Sequence, residues 1–191
     1  MTTDGPSPRT LDARPPESFE VEGGFVVRRY RVSDAVALRD AVTESLDHLR
    51  PWMPWIAHEP QSVEQREDLI RAWISEWDAG TDFAMGVFSG DVCVGSTGYH
   101  LRGPEGSIEI GYWLSSQHEG KGIMTRVVTA LTDNALILPG VTCVEIVMDE
   151  ANERSAMVAK RCGFELVEKF TREREAPGDK GIGLRWRKTR L

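Results

Sequence analysis

The chain's 191 residues suffice for one domain with a sizeable core. Its composition, 40% hydrophobic and 28% charged, is that of an ordinary soluble globular protein, with no apolar run long enough to span a bilayer and no signal-peptide pattern. Thirty acidic residues against 23 basic ones leave a net charge of -7, which argues against broad binding to nucleic acid.

Residues 1–20 carry Pro6, Pro8, Pro15 and Pro16 among small polar residues. Such a segment buries too little apolar surface to offset its ordering entropy, so a disordered lead-in is expected there, with one domain over residues 21–191. Phe25 to Tyr30 reads as a first strand. Ser33 is expected to cap a helix whose apolar positions Leu38, Val42, Leu46 and Leu49 keep helical spacing. Pro51 and Pro54 end it and leave a loop holding Trp52 and Trp55. Ser62 with Gln65 forms a capping box ahead of the stripe Leu69, Ile70, Trp73, Ile74 and Trp77, a wide apolar face suited to a sheet.

From residue 82 the pattern is of strands. Two runs flank the hairpin signal Ser89-Gly90-Asp91, and residues 107–114 then alternate. Ile108, Ile110, Tyr112 and Leu114 share one face; Glu109, Gly111 and Trp113 share the other. A helix is expected over residues 120–135, a strand over 142–147, and a helix over 152–162 closed by Gly163. Two antiparallel strands end the chain. The order predicts an α/β (α+β) fold: a mixed, mostly antiparallel sheet with helices on both faces. The basic clusters Arg28, Arg29, Arg31 and Arg185, Arg187, Lys188, Arg190 read as solvated strand edges and a tail.

Cys93, Cys143 and Cys162 are widely spaced, with no C-x-x-C pair. They indicate neither a disulfide framework nor a thiolate zinc site, and a cytoplasmic location is expected. His48, His58, His100 and His118 lack metal-ligand spacing, so no metal is assigned.

The junction after Leu114 carries the chemistry. A buried strand ends, and Gly120 and Gly122 punctuate a turn into an amphipathic helix. The first four N–H groups of a helix have no internal partner, and the macrodipole places partial positive charge there. Two glycines let a phosphate approach those amides, with the charge of Lys121 nearby, so the residues alone indicate an anion or nucleotide-phosphate site. A nucleotide P-loop does not fit: position 115 is serine where glycine is needed, and Lys121 is followed by Gly122 rather than Ser or Thr.

In this strand–loop–helix setting, Gln117-x-x-Gly120-x-Gly122 resembles the Q/R-x-x-G-x-G/A motif of the GNAT N-acetyltransferases. Residues 109–114 followed by 119–125, the loop at 50–55, and Asn152-x-x-Ser155 with Cys162-Gly163-Phe164 are similar to its RimL-type branch, which acetylates ribosomal-protein amino termini. The resemblance covers roughly residues 24–188 and implies a sheet splayed at an acyl-CoA cleft. It further implies acetyl-CoA as cosubstrate, with backbone of Trp113 and Leu114 on pantetheine and the pyrophosphate held around Gln117, His118, Glu119, Gly120, Lys121 and Gly122. Met124 and Thr125 would lie nearby, Asn152 would contact pantetheine, and Ser155 would lie near the sulfur.

The implied reaction is direct acyl transfer to a primary amine, an amino-terminal α-amine in that branch. An ammonium must lose a proton before it attacks, and Glu109 is the carboxylate placed to take it, with an ordering role for neighbouring loops as its alternative. Ser155 would donate to the departing thiolate or simply serve the helix start; Asn152 likewise could be a cap. Trp52 and Trp55 would wall the acceptor pocket or anchor their loop. The branch carries a glutamate after the last helix, for which Glu173 and Glu175 both offer themselves here. Two other readings stay open: acylation of a small amine such as an antibiotic or metabolite, with acetyl or succinyl as the group, and an acyl-CoA-binding module without turnover. Homodimerisation is implied by the branch alone.

Overall fold

A computed structural model describes residues 9–190. Eight strands form one sheet in the order β1-β2-β3-β4-β5-β6-β8-β7. They are β1 (Ser18–Val21), β2 (Phe25–Arg29), β3 (Asp82–Ser89), β4 (Val92–His100), β5 (Ser107–Leu114), β6 (Cys143–Asp149), β7 (Glu165–Thr171) and β8 (Ile182–Thr189). Every neighbouring pair is antiparallel except β5 with β6. Five helices connect them: α1 (Ala35–Thr43), α2 (Leu46–Leu49), α3 (Val63–Ala79), α4 (Ile123–Leu136) and α5 (Glu153–Arg161).

Strand alternation sends side chains to two cores. Ile108, Ile110, Val144 and Ile146 join Ile123, Val127, Val128 and Leu131 of α4 and Ala159 of α5 on one face. Phe88 and Cys93 join Leu38 and Val42 of α1 and Ile70 of α3 on the other, with Trp113 packed against them. This is the expected architecture of one mixed, largely antiparallel sheet covered on both sides.

The capping box of α3 forms: Gln65 N donates to Ser62 Oγ at 3.3 Å and Ser62 N to Gln65 Oε1 at 2.8 Å. The first expected helix is broken instead. It ends at Thr43 and resumes at Leu46, while Ser33 caps nothing and Asp34 holds the N-cap position of α1. The Asp34 carboxylate accepts from Arg31 N and both outer nitrogens of Arg28, a contact that a cap-residue rule does not foresee. Helix α4 begins at Ile123, after both glycines, because Gly120 and Gly122 take left-handed φ values of 71° and 70° that an α-helix cannot include.

Residues 1–8 of the expected lead-in lie outside the described residues. Residues 9–20 do not conform to it, since they are bound to the domain. Arg9 Nη1 donates to Gly103 O at 2.5 Å and Pro104 O at 2.8 Å, Leu11 N donates to Gly80 O at 3.1 Å, and β1 pairs with β2. Arg14 Nη2 also donates to Asp78 O near the end of α3, at 2.7 Å. Guanidinium groups satisfying helix-end and turn carbonyls anchor this stretch, whereas composition registers only its poverty in apolar residues. Two members of the second basic cluster are likewise engaged: Arg185 and Arg187 both donate to Glu145, whose side chain is 1% exposed.

Asp149, at the end of β6, binds the chain around the groove described below. Its carboxylate accepts from the N–H groups of Ala151, Lys180, Gly181 and Ile182 at 2.9 to 3.1 Å. Burial raises its pKa, but these four bonds outweigh burial and hold it below the ordinary aspartate value. Asp149→Ala is expected to cost about 3 kcal/mol and lower the melting temperature by roughly 6–12 °C, since unpaired buried donors are expensive. A depressed folded-state pKa contributes stability that is present above the unfolded value, about 3.9, and is lost as pH falls through the lower folded value. The acid-side fall in wild-type stability should therefore be shallower in the variant, as read by thermal melts between about pH 2 and 6.

Candidate active site

The site begins where β5 and β6 part. Their parallel pairing covers only Ser107, Ile108 and Glu109 against Cys143, Val144 and Glu145. Beyond it β5 keeps β4 as partner up to Leu114 with Gly95, and β6 keeps β8 up to Asp149 with Gly183. The facing edges of residues 110–114 and 146–149 thus lack a ladder partner, and a groove of about 1510 Å³ opens along the split. Buried Glu145, fixed by its two arginines, sits at the closed end of the split.

At the other end the chain turns through residues 115–122 into α4. Among the described residues, no acceptor takes the N–H groups of residues 119–125. A Cβ on Gly120 would meet nothing within 4 Å, so the space over this loop is open. Donors, a helix N-terminus and open space together suit a phosphate-bearing ligand. Glu119, Gly120, Gly122, Met124 and Thr125 line the groove, with Trp113 and Leu114 on β5.

The side chains of Gln117, His118 and Lys121 bond within or beside the turn. Gln117 Nε2 donates to Glu44 Oε2 at 3.2 Å and Lys121 Nζ donates to Gln117 O at 3.0 Å. His118 Nδ1 lies 2.7 Å from Ser115 Oγ, and burial followed by the charge of Lys121 lowers its pKa, so the ring is neutral at pH 7. None of the three lines the groove. These side chains brace the turn, whose backbone N–H groups at 119–125 have no acceptor among the described residues. Arg154 Nη1 of α5 reaches Glu119 Oε1 at 2.6 Å, and His48 Nε2 meets the same oxygen at 3.1 Å. No local sequence signal marks the Arg154 contact.

Asn152 is the N-cap of α5, its Oδ1 accepting from Ser155 N at 3.1 Å. Both residues line the groove. The Ser155 hydroxyl lies 2.9 Å from the Tyr112 hydroxyl, which also approaches the Ser155 carbonyl at 3.2 Å. One proton arrangement satisfies all three atoms, with Tyr112 donating to the carbonyl and Ser155 Oγ donating to Tyr112 Oη. Burial pushes the Tyr112 pKa far up, so the phenol stays protonated. Alternation along β5 put Tyr112 on one face with Ile108, Ile110 and Leu114; its partnership with Ser155 ties β5 to the start of α5.

Across the sheet, Gly98 of β4 lies opposite Gly111 of β5 and the two make a shallow floor. Trp52, Trp55, Trp73 and Trp113 stand around this end of the groove, Trp55 and Trp113 with ring centroids 6.1 Å apart. The loop after β7 closes over the loop at 50–55: Gly178 N donates to Pro51 O at 2.9 Å, and a Cβ at Gly178 would lie 2.6 Å from that oxygen. Glu175 lines the groove and pairs with Arg172 at 2.6 Å, whereas Glu173 is exposed and lines nothing there. Glu109 lines it too, with Oε1 3.3 Å from Arg102 Nη1. Asp82 and His100 join them, Nδ1 to Oδ2 at 2.7 Å. Sequence reasoning passed over this last pair.

Among the described residues, no three His, Cys, Asp or Glu side chains converge as a metal site would require, and no helix is long and apolar enough to cross a membrane. Cys93, Cys143 and Cys162 are free thiols.

Comparison with known proteins agrees with this geometry. Residues 25–165 match the model of the acetyltransferase (GNAT) domain. Among curated proteins the chain is 27% identical over 147 residues to YdaF of Bacillus subtilis, whose name describes it as a candidate ribosomal N-acetyltransferase, covering 76% of this chain and 80% of that one. Among solved structures it superposes on RimL, the ribosomal L7/L12 alpha-N-protein acetyltransferase in complex with coenzyme A, with a TM-score of 0.83 at 21% identity over 91% of this chain and 98% of that one. The microcin C7 self-immunity acetyltransferase MccE, in complex with acetyl-CoA and AMP, gives the same TM-score at 18% identity, over 91% and 97% of the two chains. At these identities the two structures are likenesses of fold.

Proposed function

Since the chain belongs to the GNAT acetyltransferase domain family, whose model spans residues 25–165, we propose that it transfers acetyl from acetyl-CoA to a primary amine, the α-amine of a protein or peptide amino terminus. The observation that carries the cosubstrate is the run of unpaired amides at residues 119–125, set at the mouth of the groove where β5 leaves β6. A pyrophosphate accepts from those amides, and the open edge of Trp113 and Leu114 pairs with the amide-bearing pantetheine arm as a missing strand would. Asn152 flanks the arm.

The chemistry follows from what lies further along the groove. A neutral amine attacks the thioester carbonyl carbon, forming the C–N bond while the carbonyl oxygen takes the charge. A strand N–H in the split supports that oxyanion. The C–S bond then breaks as the Ser155 hydroxyl, held 2.9 Å from Tyr112, turns to hydrogen-bond the departing sulfur, and the thiolate takes up the second proton of the amine nitrogen. The amine gives up its first proton at the acidic acceptor end, where Glu76, Asp82, Glu109 and Glu175 line the groove and favour an ammonium on arrival.

An α-amine is favoured by the L7/L12 alpha-N-protein acetyltransferase, and a ribosomal acceptor by YdaF, as their names describe them. A small amine is the second reading, supported by the enclosure of the acceptor end by Trp52, Trp55 and Trp73. Thiol release from acetyl-CoA with a panel of amino-terminal peptides and small amines separates them. Release with peptides alone supports the first, release with small amines alone the second, and saturable acetyl-CoA binding without any amine-dependent release would leave a binding module only. Succinyl-CoA in place of acetyl-CoA tests the donor. A cytoplasmic setting suits three free thiols, and a homodimer remains part of the proposal through the branch resemblance.

A further inference from the structure

We propose that His100, oriented by Asp82, is the residue that takes the proton from the acceptor amine. This rests on the acyl-transfer reading above and assigns its proton acceptor.

The pair has the geometry of a base and its orienting carboxylate. Asp82 Oδ2 lies 2.7 Å from His100 Nδ1, with the two side chains 25% and 17% exposed. A carboxylate at that distance accepts Nδ1–H, which fixes the tautomer that leaves a lone pair on Nε2 and stabilises the imidazolium formed on protonation. Among the described residues no group bonds Nε2. That nitrogen instead lies over the glycine floor: a Cβ built on Gly111 would be 3.0 Å from it. The missing side chain at Gly111 is what admits the ring.

Position separates His100 from the other candidates. His100 Nε2 lies over Gly111, the strand neighbour of Tyr112, whose hydroxyl meets Ser155 beside the proposed sulfur position. Glu109 is three residues from Tyr112, about 10 Å along the strand at ~3.4 Å per residue, and is engaged by Arg102. Glu175 is engaged by Arg172. The charged groups around the imidazole are Asp82 on β3, Glu109 on β5, Arg102 in the loop after β4 and Glu76 on α3.

The step balances simply. Neutral His100 accepts one proton from the arriving ammonium at Nε2, the freed lone pair forms the C–N bond, and the second N–H proton leaves as the C–S bond breaks and the thiolate is protonated. The imidazolium returns its proton to water between turnovers.

His100→Gln, assayed by thiol release with acetyl-CoA and whichever panel amine the wild type accepts, should lose about a hundredfold or more in kcat/KM at neutral pH. Acetyl-CoA affinity and melting temperature should stay near wild type, which separates lost chemistry from lost fold. The acid limb of the kcat/KM–pH profile should vanish in this variant and persist in Glu109→Gln and Glu175→Gln. Asp82→Asn should fall between wild type and His100→Gln. Ring nitrogen signals of ¹⁵N-labelled protein should report the Nδ1–H tautomer in His100, and the Nε2–H tautomer would overturn the assignment whatever the activity. An active wild type with an unimpaired His100→Gln overturns this assignment alone. A wild type that binds acetyl-CoA but releases no thiol with any amine overturns the transfer reaction and this assignment together.

Discussion

Gly120→Glu is expected to weaken acetyl-CoA binding by a hundredfold or more, about 2.7 kcal/mol, while the protein stays folded. The new carboxylate would stand over the unpaired amides of residues 119–125, in the open space where a pyrophosphate is proposed to lie. Two like charges about 4 Å apart near a protein surface repel by roughly 4 kcal/mol, enough to supply the whole loss. The backbone contributes separately. Gly120 has φ 71°, and a residue with a Cβ is strained there by about 1–2 kcal/mol, or roughly 2–8 °C in melting temperature. Gly120→Ala carries the same strain without the charge, so the two variants should melt alike yet differ in affinity by tenfold or more. Isothermal titration with acetyl-CoA reads the difference. Equal affinities in the two variants, or wild-type affinity in Gly120→Glu, would remove the pyrophosphate from this loop.

The second large effect belongs to the leaving-group side. Ser155→Ala should lower kcat by about a hundredfold with acetyl-CoA affinity within a fewfold, because a donor to the departing sulfur acts in the transition state and little in the ground state. Tyr112→Phe should lower it by about tenfold, since Ser155 keeps its own hydroxyl and loses only the partner that orients it. The double variant should resemble Ser155→Ala rather than the product of the two, as expected for groups acting in one chain at 2.9 Å. Ser155 N is held by Asn152, so Asn152→Ala tests the cap separately: it should lower stability by about 1 kcal/mol. Equal losses of kcat and affinity in Ser155→Ala would make its hydroxyl a structural group.

The glycine turn ahead of α4 was legible in the sequence because its requirements are local. Two glycines between a strand and a helix are enough to specify bare amides at a helix start, and the motif match then named the ligand class. The capping box at Ser62 and the hairpin at Ser89-Gly90-Asp91 were legible for the same reason: each is closed by bonds within a few residues. Side chains of the loop were not, since Gln117 and Lys121 choose between a ligand and nearby acceptors only once Glu44 and the Gln117 carbonyl are in place. Nor was the attachment of residues 9–20, which depends on carbonyls at positions 78, 80, 103 and 104.

Asp82 and His100 mark the boundary most sharply. Counting back from the pairs Ser89 with Val92 and Phe88 with Cys93 would set Asp82 against Tyr99. The register shift between Val87 and Phe88 moves every later pair by one residue and sets Asp82 against His100. A one-residue slip exchanges the faces of a strand, so that irregularity decides which residue stands beside the aspartate in the groove. The groove itself depends on β4 and β8, each of which holds one of the parting strands and leaves the inner edges free. Local sequence thus determined the donor loop, whose parts are neighbours in the chain. Only tertiary structure decided the open edges, the Tyr112–Ser155 contact and the Asp82–His100 pair, because each is a pairing between segments that no local pattern joins.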